Sequence, residues 1–297
     1  MAWLRIVHET RYRYLTPVVF GPHRLVLRPR EGHDLRVEDL RLEISPAFEL
    51  EWSRDVFGNS IATAHLLEPA EELRIRSEVV LRQTLPLTNR GPRPMQPIPY
   101  PLIFPALELP VAAVYQASTF PEDVAEVKKW LGEQLGGEPE GDAHQLIQRI
   151  GRLVHRGIRY QRREDKGVQT PQQTIAQGTG SCRDLSTLLL EALRGLGFPA
   201  RFASGYLDCT ASEAGRAATH AWAEAYLPRM GWLGYDPTLG EFTSGKHVVT
   251  GVSHHPRGVM PITGTFAGTP EQYRDMQVTV QTQRLEEWPP LSEASGS

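Results

Sequence analysis

The chain has 297 residues, 40% of them hydrophobic, enough for one or two domains that bury roughly three quarters of their unfolded surface without staples. Its 32 basic and 35 acidic side chains give a formal charge of -3, so no general attraction for nucleic acid is expected. Two cysteines, no apolar run approaching about 18 residues and no paired Cys or His spacing argue against a disulfide scaffold, a spanning helix and a structural zinc site.

The opening MAWLRIVHETRYRY has no apolar core followed by a small-residue cleavage site, so no secretory signal is expected and the chain reads as cytoplasmic, with reduced thiols. Residues 3–8 and 11–20 alternate like strands, with Tyr12, Tyr14 and Val18 available for a packed face. The alternation continues through 23–29, 35–46, 55–66 and 73–86, and Gly58-Asn59 marks a turn where positive φ is tolerated. Residues 1–88 are therefore expected to form an antiparallel β-sandwich or barrel-like domain. Prolines at 92, 94, 97, 99, 101, 105 and 110 predict a linker or surface crossing over 89–118, because proline offers no N–H to a central strand and breaks helices.

Beyond the prolines the period changes. Pro121, Glu122 and Asp123 precede Val124, Val127, Trp130, Leu131 and Leu135, which predicts a helix over 121–136. A second helix is expected over 143–160 on Leu146, Ile147, Ile150, Leu153 and Val154, followed by a polar loop over 161–179. A third helix begins at Cys182. Strands are expected at 200–209, 219–228, 232–237 and 272–287. Helices followed by antiparallel strands predict an α+β domain over 119–288, with a frayed tail at 289–297. Arg149, Arg152, Arg156, Arg159, Arg162 and Arg163 form a basic run with Tyr160 as its one interleaved aromatic, so a solvated helix face and loop is a plainer reading than a nucleic-acid groove. His254 and His255 are sequence neighbours that point apart in a strand, a poor arrangement for a metal.

Cys182 occupies an unusual place. A buried cysteine is ordinarily a small hydrophobe, and Cys209, at a strand end beside Asp208, is read that way. Cys182 instead opens a helix whose buried stripe is Leu185, Leu188, Leu189, Ala192, Leu193 and Leu196, with Ser181 or Thr179 as cap and Gly178 and Gly180 for the turn into it. Free backbone N–H groups and the positive end of the helix dipole favour a thiolate there and offer a donor to an oxyanion. A nucleophile also needs a base and something to orient it. In THAWAEAYLP, His220, Trp222, Glu224 and Tyr226 share one strand face and the alanines share the other, so the small side is expected to pack inward and the histidine side to face a cleft. Asp236 lies on the next strand, where it can hold the imidazole if the register allows.

The segments GSCRD at 180–184, RFASGYL at 201–207, HAW at 220–222 and WLGYDPT at 232–238 resemble the core of the transglutaminase-like superfamily. GPHRLVLRPR at 21–30 and DVFGNSI at 55–61 are similar to the β-rich domain preceding that core in a bacterial branch. The resemblance implies a papain-like fold in which Cys182 is the nucleophile, His220 the base and Asp236 the orienting acid. It implies thiol-dependent acyl transfer on peptide or isopeptide amide bonds, with hydrolysis by a cysteine peptidase or amidase expected. The alternatives are a protein-glutamine gamma-glutamyltransferase using an amine acceptor and a non-catalytic scaffold. No cofactor is implied, and calcium is not expected because no DxDxDG-like oxygen cluster occurs. The expected partner is a protein or peptide substrate, with no nucleic acid or membrane and with self-association open. An oxyanion side chain is expected before Cys182 in a papain-like site; Gln169, Gln172, Gln173 and Gln177 precede it, with Gln173, Gln177 and Tyr206 as candidate oxyanion or cleft residues. Trp222 either packs or shields the cleft. The glycine-rich loop over 245–268, with His254 and His255, is the candidate rim or subunit contact.

Overall fold

The computed structural model describes residues 2–84, 94–163, 167–208 and 219–286. By contact the chain forms two units, one from residues 1–86, 207–218 and 262–297, the other from 87–206 and 219–261.

The first unit is built on period-two alternation. In β1 (Ala2–Phe20) Leu4, Ile6, His8 and Thr10 are buried while Arg5, Glu9 and Arg11 alternate with them, so the two predicted strands are one. It is followed by β2 (His23–Leu25), β3 (Leu35–Ser45), β4 (Phe48–Arg54), β5 (Ser60–Leu66) and β6 (Ala70–Gln83). β6 pairs with β1 and β3, whereas β5 pairs with β2 and β4 in a separate sheet. Tyr14, Val18 and Phe20 of β1, Leu25 of β2, Ala62 of β5 and Leu73 and Ile75 of β6 share one core, so two antiparallel sheets close on each other as a sandwich. At the predicted turn Gly58 has φ 73°, and the Asp55 carboxylate accepts the N–H groups of Phe57 and Asn59.

In the second unit the proline-rich stretch does more than link. Ile98 joins the core. Tyr100, in β7 (Pro99–Tyr100), stacks on Phe198 at 5.6 Å and donates to the Leu196 carbonyl. Helix α1 (Leu109–Gln116) follows, with Pro110 in its first turn, where a missing N–H costs nothing. The expected helix over 121–136 is a 3-10 turn at Pro121–Asp123 followed by α2 (Val124–Leu135), which ends at left-handed Gly136. Next come β8 (Gly141–Asp142), α3 (Ala143–Gly157) capped by Asp142, and β9 (Arg159–Tyr160). The predicted polar loop holds a short helix, α4 (Pro171–Gln177), closed by a Thr170–Gln173 capping box. Then β10 (Thr179–Gly180) leads into α5 (Cys182–Gly195).

The sheet of this unit is formed by β11 (Ala200–Leu207), β12 (Thr219–Leu227), β13 (Gly231–Asp236), β14 (Glu241–Phe242) and β15 (His247–Ser253), in the order β14-β13-β12-β11-β15. Ala221, Ala223 and Ala225 of β12 share a core with Leu185, Leu188 and Leu189 of α5 and Ile147 and Ile150 of α3. Small side chains on the strand let the helix lie close, and Ser186 Oγ reaches the Ala221 carbonyl at 3.0 Å.

The chain then returns to the first unit. β16 (Ile262–Thr263) pairs with β2, β17 (Phe266–Ala267) with the end of β1, and β18 (Tyr273–Leu285) runs along β1 from Trp3 opposite Leu285 to Tyr14 opposite Tyr273. The strand expected at 272–287 within a second domain over 119–288 is therefore a strand of the β-rich unit. Alternation identifies a strand but carries no information about its partner. Cys209, residues 89–93 of the linker and the tail 289–297 lie outside the described residues. Among the described residues no helix is long and apolar enough to cross a membrane.

Candidate active site

Cys182 is the first residue of α5, after Ser181 at the cap position. The Asp184 carboxylate, fully buried, accepts the Ser181 N–H and hydroxyl, both at 2.8 Å, and the Gln169 N–H at 2.7 Å. Arg163 pairs with it at 2.9 Å. Burial alone would push this carboxyl up, but Arg163 and the N–H and hydroxyl donors outweigh it and hold its pKa below the usual range. Asp184 thus ties the helix, the incoming loop and residue 163 together, with Arg163 as its cation. Glycine at 180 has a steric reason, since a Cβ there would lie 2.8 Å from Asp184 Cβ. Cys182 as a residue is partly exposed while resting against the core.

His220 sits near the start of β12 and Asp236 ends β13. The last register pair is Ala223 with Tyr235; one further step places Asp236 across from Trp222, on the same sheet face as His220. His220 Nε2 meets Asp236 Oδ2 at 2.6 Å, with the carboxylate wholly buried and 10% of the imidazole side chain exposed. The Cys182 side chain lies near enough to the imidazole to act on its charge. Burial works to lower the histidine pKa, but the Asp236 charge and hydrogen bond, joined by Cys182, drive it well above the ordinary value. Burial would raise the Asp236 carboxyl, and His220 and then His247 reverse this and depress it. Cysteine, histidine and aspartate are thus brought together at the N-terminus of α5, with the buried carboxylate bonded to the imidazole.

The remaining sequence candidates are placed differently. Gln173 belongs to the α4 capping box, and Gln177 accepts the Gln169 side-chain amide at 2.7 Å, so both are engaged in holding α4 and its loop. Tyr206 is 1% exposed, and burial pushes its hydroxyl pKa up; it does not offer a hydroxyl to a substrate arriving from solvent. Trp222 is fully buried and donates to Glu224 at 3.3 Å, which is the packing role. Because Trp222 and Glu224 are buried, the histidine face of β12 is not an open cleft along its length. In the 245–268 loop His254 bonds the Ala117 carbonyl and His255 stacks on Phe120 at 5.6 Å. The basic run is partly spent on internal partners, Arg149 on the Leu135 carbonyl and Arg163 on Asp184.

Two residues of the site carry no motif. Tyr160 ends β9, directly beside Gly180 of β10 in a parallel pair. The residue is exposed, and its hydroxyl pKa is raised by partial desolvation and then by Cys182, with a smaller contribution from Asp236. His247 opens β15, and its Nε2 reaches Asp236 Oδ2 at 3.1 Å. His220, Asp236 and His247 offer ligand-type atoms within 4.8 Å of one another. However, Ser244 N–H donates to His247 Nδ1 at 3.2 Å, which leaves the ring proton on Nε2, pointed at the carboxylate. The trio is a hydrogen-bonded relay, and a cation there would have to displace that proton.

Residues 4–82 match the bacterial transglutaminase-like N-terminal region and residues 131–237 match the transglutaminase-like superfamily core. Uncharacterized protein Rv2569c of Mycobacterium tuberculosis is 27% identical over 275 residues, covering 88% of this chain and 86% of that protein. Uncharacterized protein ML0607 of Mycobacterium leprae is 24% identical over 302 residues, covering 95% and 99%. The structure of a candidate cysteine protease from Cytophaga hutchinsonii superposes with a TM-score of 0.72 at 15% identity, over 97% of this chain and 93% of that one. At that identity the likeness is one of fold.

Proposed function

Since the chain belongs to the transglutaminase-like superfamily, we propose that it is a thiol-dependent acyl-transfer enzyme that hydrolyses peptide or isopeptide amide bonds. The observation that carries this reading is the line from the partly exposed Cys182 through His220 to the buried Asp236. The Cys182 thiolate attacks the amide carbonyl, and the oxyanion forms beside the N–H groups that open α5. The His220 imidazolium gives its proton to the departing nitrogen as the C–N bond breaks, leaving a thioester on Cys182 and a neutral imidazole. Water then adds to the thioester while His220 takes a proton from it, and collapse returns the thiolate and imidazolium and releases the carboxylic acid. Asp236 stays ionised throughout and holds the ring with its Nδ1 toward the sulfur.

The test is to trap the thioester with a panel of peptide amides, identify the acylated residue by mass, and let water compete with added primary amines. Acylation of Cys182 followed by release of the free acid is expected. An amide product formed in preference to the acid would reassign the second step to an amine acceptor. Acylation at no cysteine would leave a binding protein on a papain-like scaffold.

A further inference from the structure

We propose that His247 is a positioning residue of this site: its Nε2–H is the second donor on the Asp236 oxygen that holds His220, and it keeps that oxygen aimed at the imidazole. The inference rests on the thiol-enzyme reading above and adds to it a residue that no motif marks.

A carboxylate presents about four acceptor positions. Oδ1 of Asp236 receives Thr238 N–H at 2.8 Å and Leu239 N–H at 3.3 Å; Oδ2 receives His220 Nε2 at 2.6 Å and His247 Nε2 at 3.1 Å. The two backbone donors belong to the turn after β13 and fix Oδ1. Among the described residues, Oδ2 has His247 as its one partner besides His220. A fully buried carboxylate needs its charge compensated most when His220 has given its proton away, because the cationic partner is then gone. At that step a second N–H on the same oxygen keeps Asp236 ionised and in place.

The surroundings of His247 are built to deliver that N–H. Ser244 accepts the His247 backbone N–H at 2.9 Å and returns its own N–H to Nδ1 at 3.2 Å, so one tight turn fixes both the ring and its tautomer. The edge of the ring packs against Trp222 at 5.2 Å and 77°, and the side chain is 1% exposed. The next residue of β15 shows why this strand can come so close. A Cβ at Gly205 would lie 1.9 Å from the Val248 carbonyl oxygen, and Gly205 is the residue that pairs with His220 across β11 and β12. Glycine at 205 thus lets β15 dock beside the strand next to His220. The titratable groups around the relay are Asp236 and His220 themselves, Cys182 through His220, and Tyr160 and Tyr235, whose hydroxyls feel the Asp236 charge.

The experiment reads the rate of iodoacetamide labelling of Cys182 by mass, from pH 5.5 to 9, in the wild type, His247→Phe and His247→Gln. Phenylalanine keeps a ring against Trp222 and drops the donor; glutamine keeps an N–H. The expected result is wild-type labelling at pH 6 far faster than a free thiol allows, a fall of about tenfold or more at pH 6 in His247→Phe, and recovery to within about threefold in His247→Gln. Labelling at pH 6 that is unchanged in His247→Phe, or as slow in His247→Gln as in His247→Phe, overturns the positioning role while leaving the thiol-enzyme reading intact. A wild type that labels like a free thiol overturns both. The 15N shifts of the His247 ring in the unmodified protein give a check that needs no variant: Nε2–H is expected, and an Nδ1–H tautomer refutes the assignment.

Discussion

Two buried histidines, one in each unit, end in opposite states. His8 on β1 is 2% exposed, its ring lies 3.1 Å from the neutral Thr10 hydroxyl, and burial lowers its pKa to about 4. His220 on β12 is nearly as enclosed, yet the Asp236 carboxylate 2.6 Å away overrides burial and raises its pKa well above the ordinary value. The difference teaches that a histidine's burial says little about its charge until its partner is known. In a sandwich core burial favours a neutral ring; beside a buried carboxylate the same ring is favoured as a cation.

Removing that carboxylate should erase the contrast and gives the largest expected effect. Asp236→Asn should lower turnover on any peptide amide found by thioester trapping by about a thousandfold to ten-thousandfold, and NMR titration should show His220 neutral at pH 7, as His8 is. A ring still protonated at pH 7 would mean that something other than Asp236 separates the two histidines. Next in size is Asp184, whose charge is buried but has no place in the proton path. Asp184→Ala strands Arg163 and three loop donors and should cost about 3–5 kcal/mol in urea unfolding; a loss under about 1 kcal/mol would contradict the compensation described. Because the folded Asp184 pKa is depressed, its contribution is present above the unfolded carboxylate value near 3.8 and is lost as pH falls through the folded one.

The two histidines also predict opposite pH limbs. With a folded pKa of about 4 against 6.5, His8 favours the folded state above pH 6.5 and progressively loses that contribution down to about pH 4, on the order of 3 kcal/mol in all. His8→Leu should flatten that acid slope in thermal melts, and an unchanged slope would place the acid sensitivity elsewhere. His220 has the reverse sign: its raised pKa stabilises the fold below pH 6.5, and the gain disappears as pH climbs through the folded value. The smallest effect belongs to the exposed charge ladder of the first unit. Arg82 and Glu38 meet at 2.6 Å but are 34% and 29% exposed, so Arg82→Gln should change stability by less than about 1 kcal/mol and less still at high salt.

Local features were legible in the sequence where one segment carries the whole signal. The alternation of Leu73, Ile75, Val79 and Leu81 foretells β6, and the capped, amphipathic run from Cys182 foretells α5 with a cysteine at its open end. His220 and Asp236 could be read together because they lie on adjoining strands of one hairpin. What stayed hidden depends on distant segments meeting. β18 pairs with β1 across nearly the whole chain, His247 reaches Asp236 through a turn that has no motif, and Tyr160 comes beside Gly180 through a two-residue parallel pair. Helix α4 escaped because it has seven residues and a mostly polar sequence, so its capping box is the one local signal it offers. The glutamines before Cys182 looked interchangeable by spacing. Their partners separate them, with the Gln169 backbone on Asp184 and Gln173 and Gln177 committed to α4 and its loop.

The central claim is that His220, held charged by Asp236, makes Cys182 a nucleophile. It is tested most directly by labelling the native protein with iodoacetamide at pH 7 and following Cys182 and Cys209 separately by mass, in the wild type and in His220→Ala. Cys182 should react at least about tenfold faster than Cys209 in the wild type and fall to the rate of an ordinary thiol in the variant. Equal rates for the two cysteines, or a Cys182 rate indifferent to the loss of His220, would contradict the account.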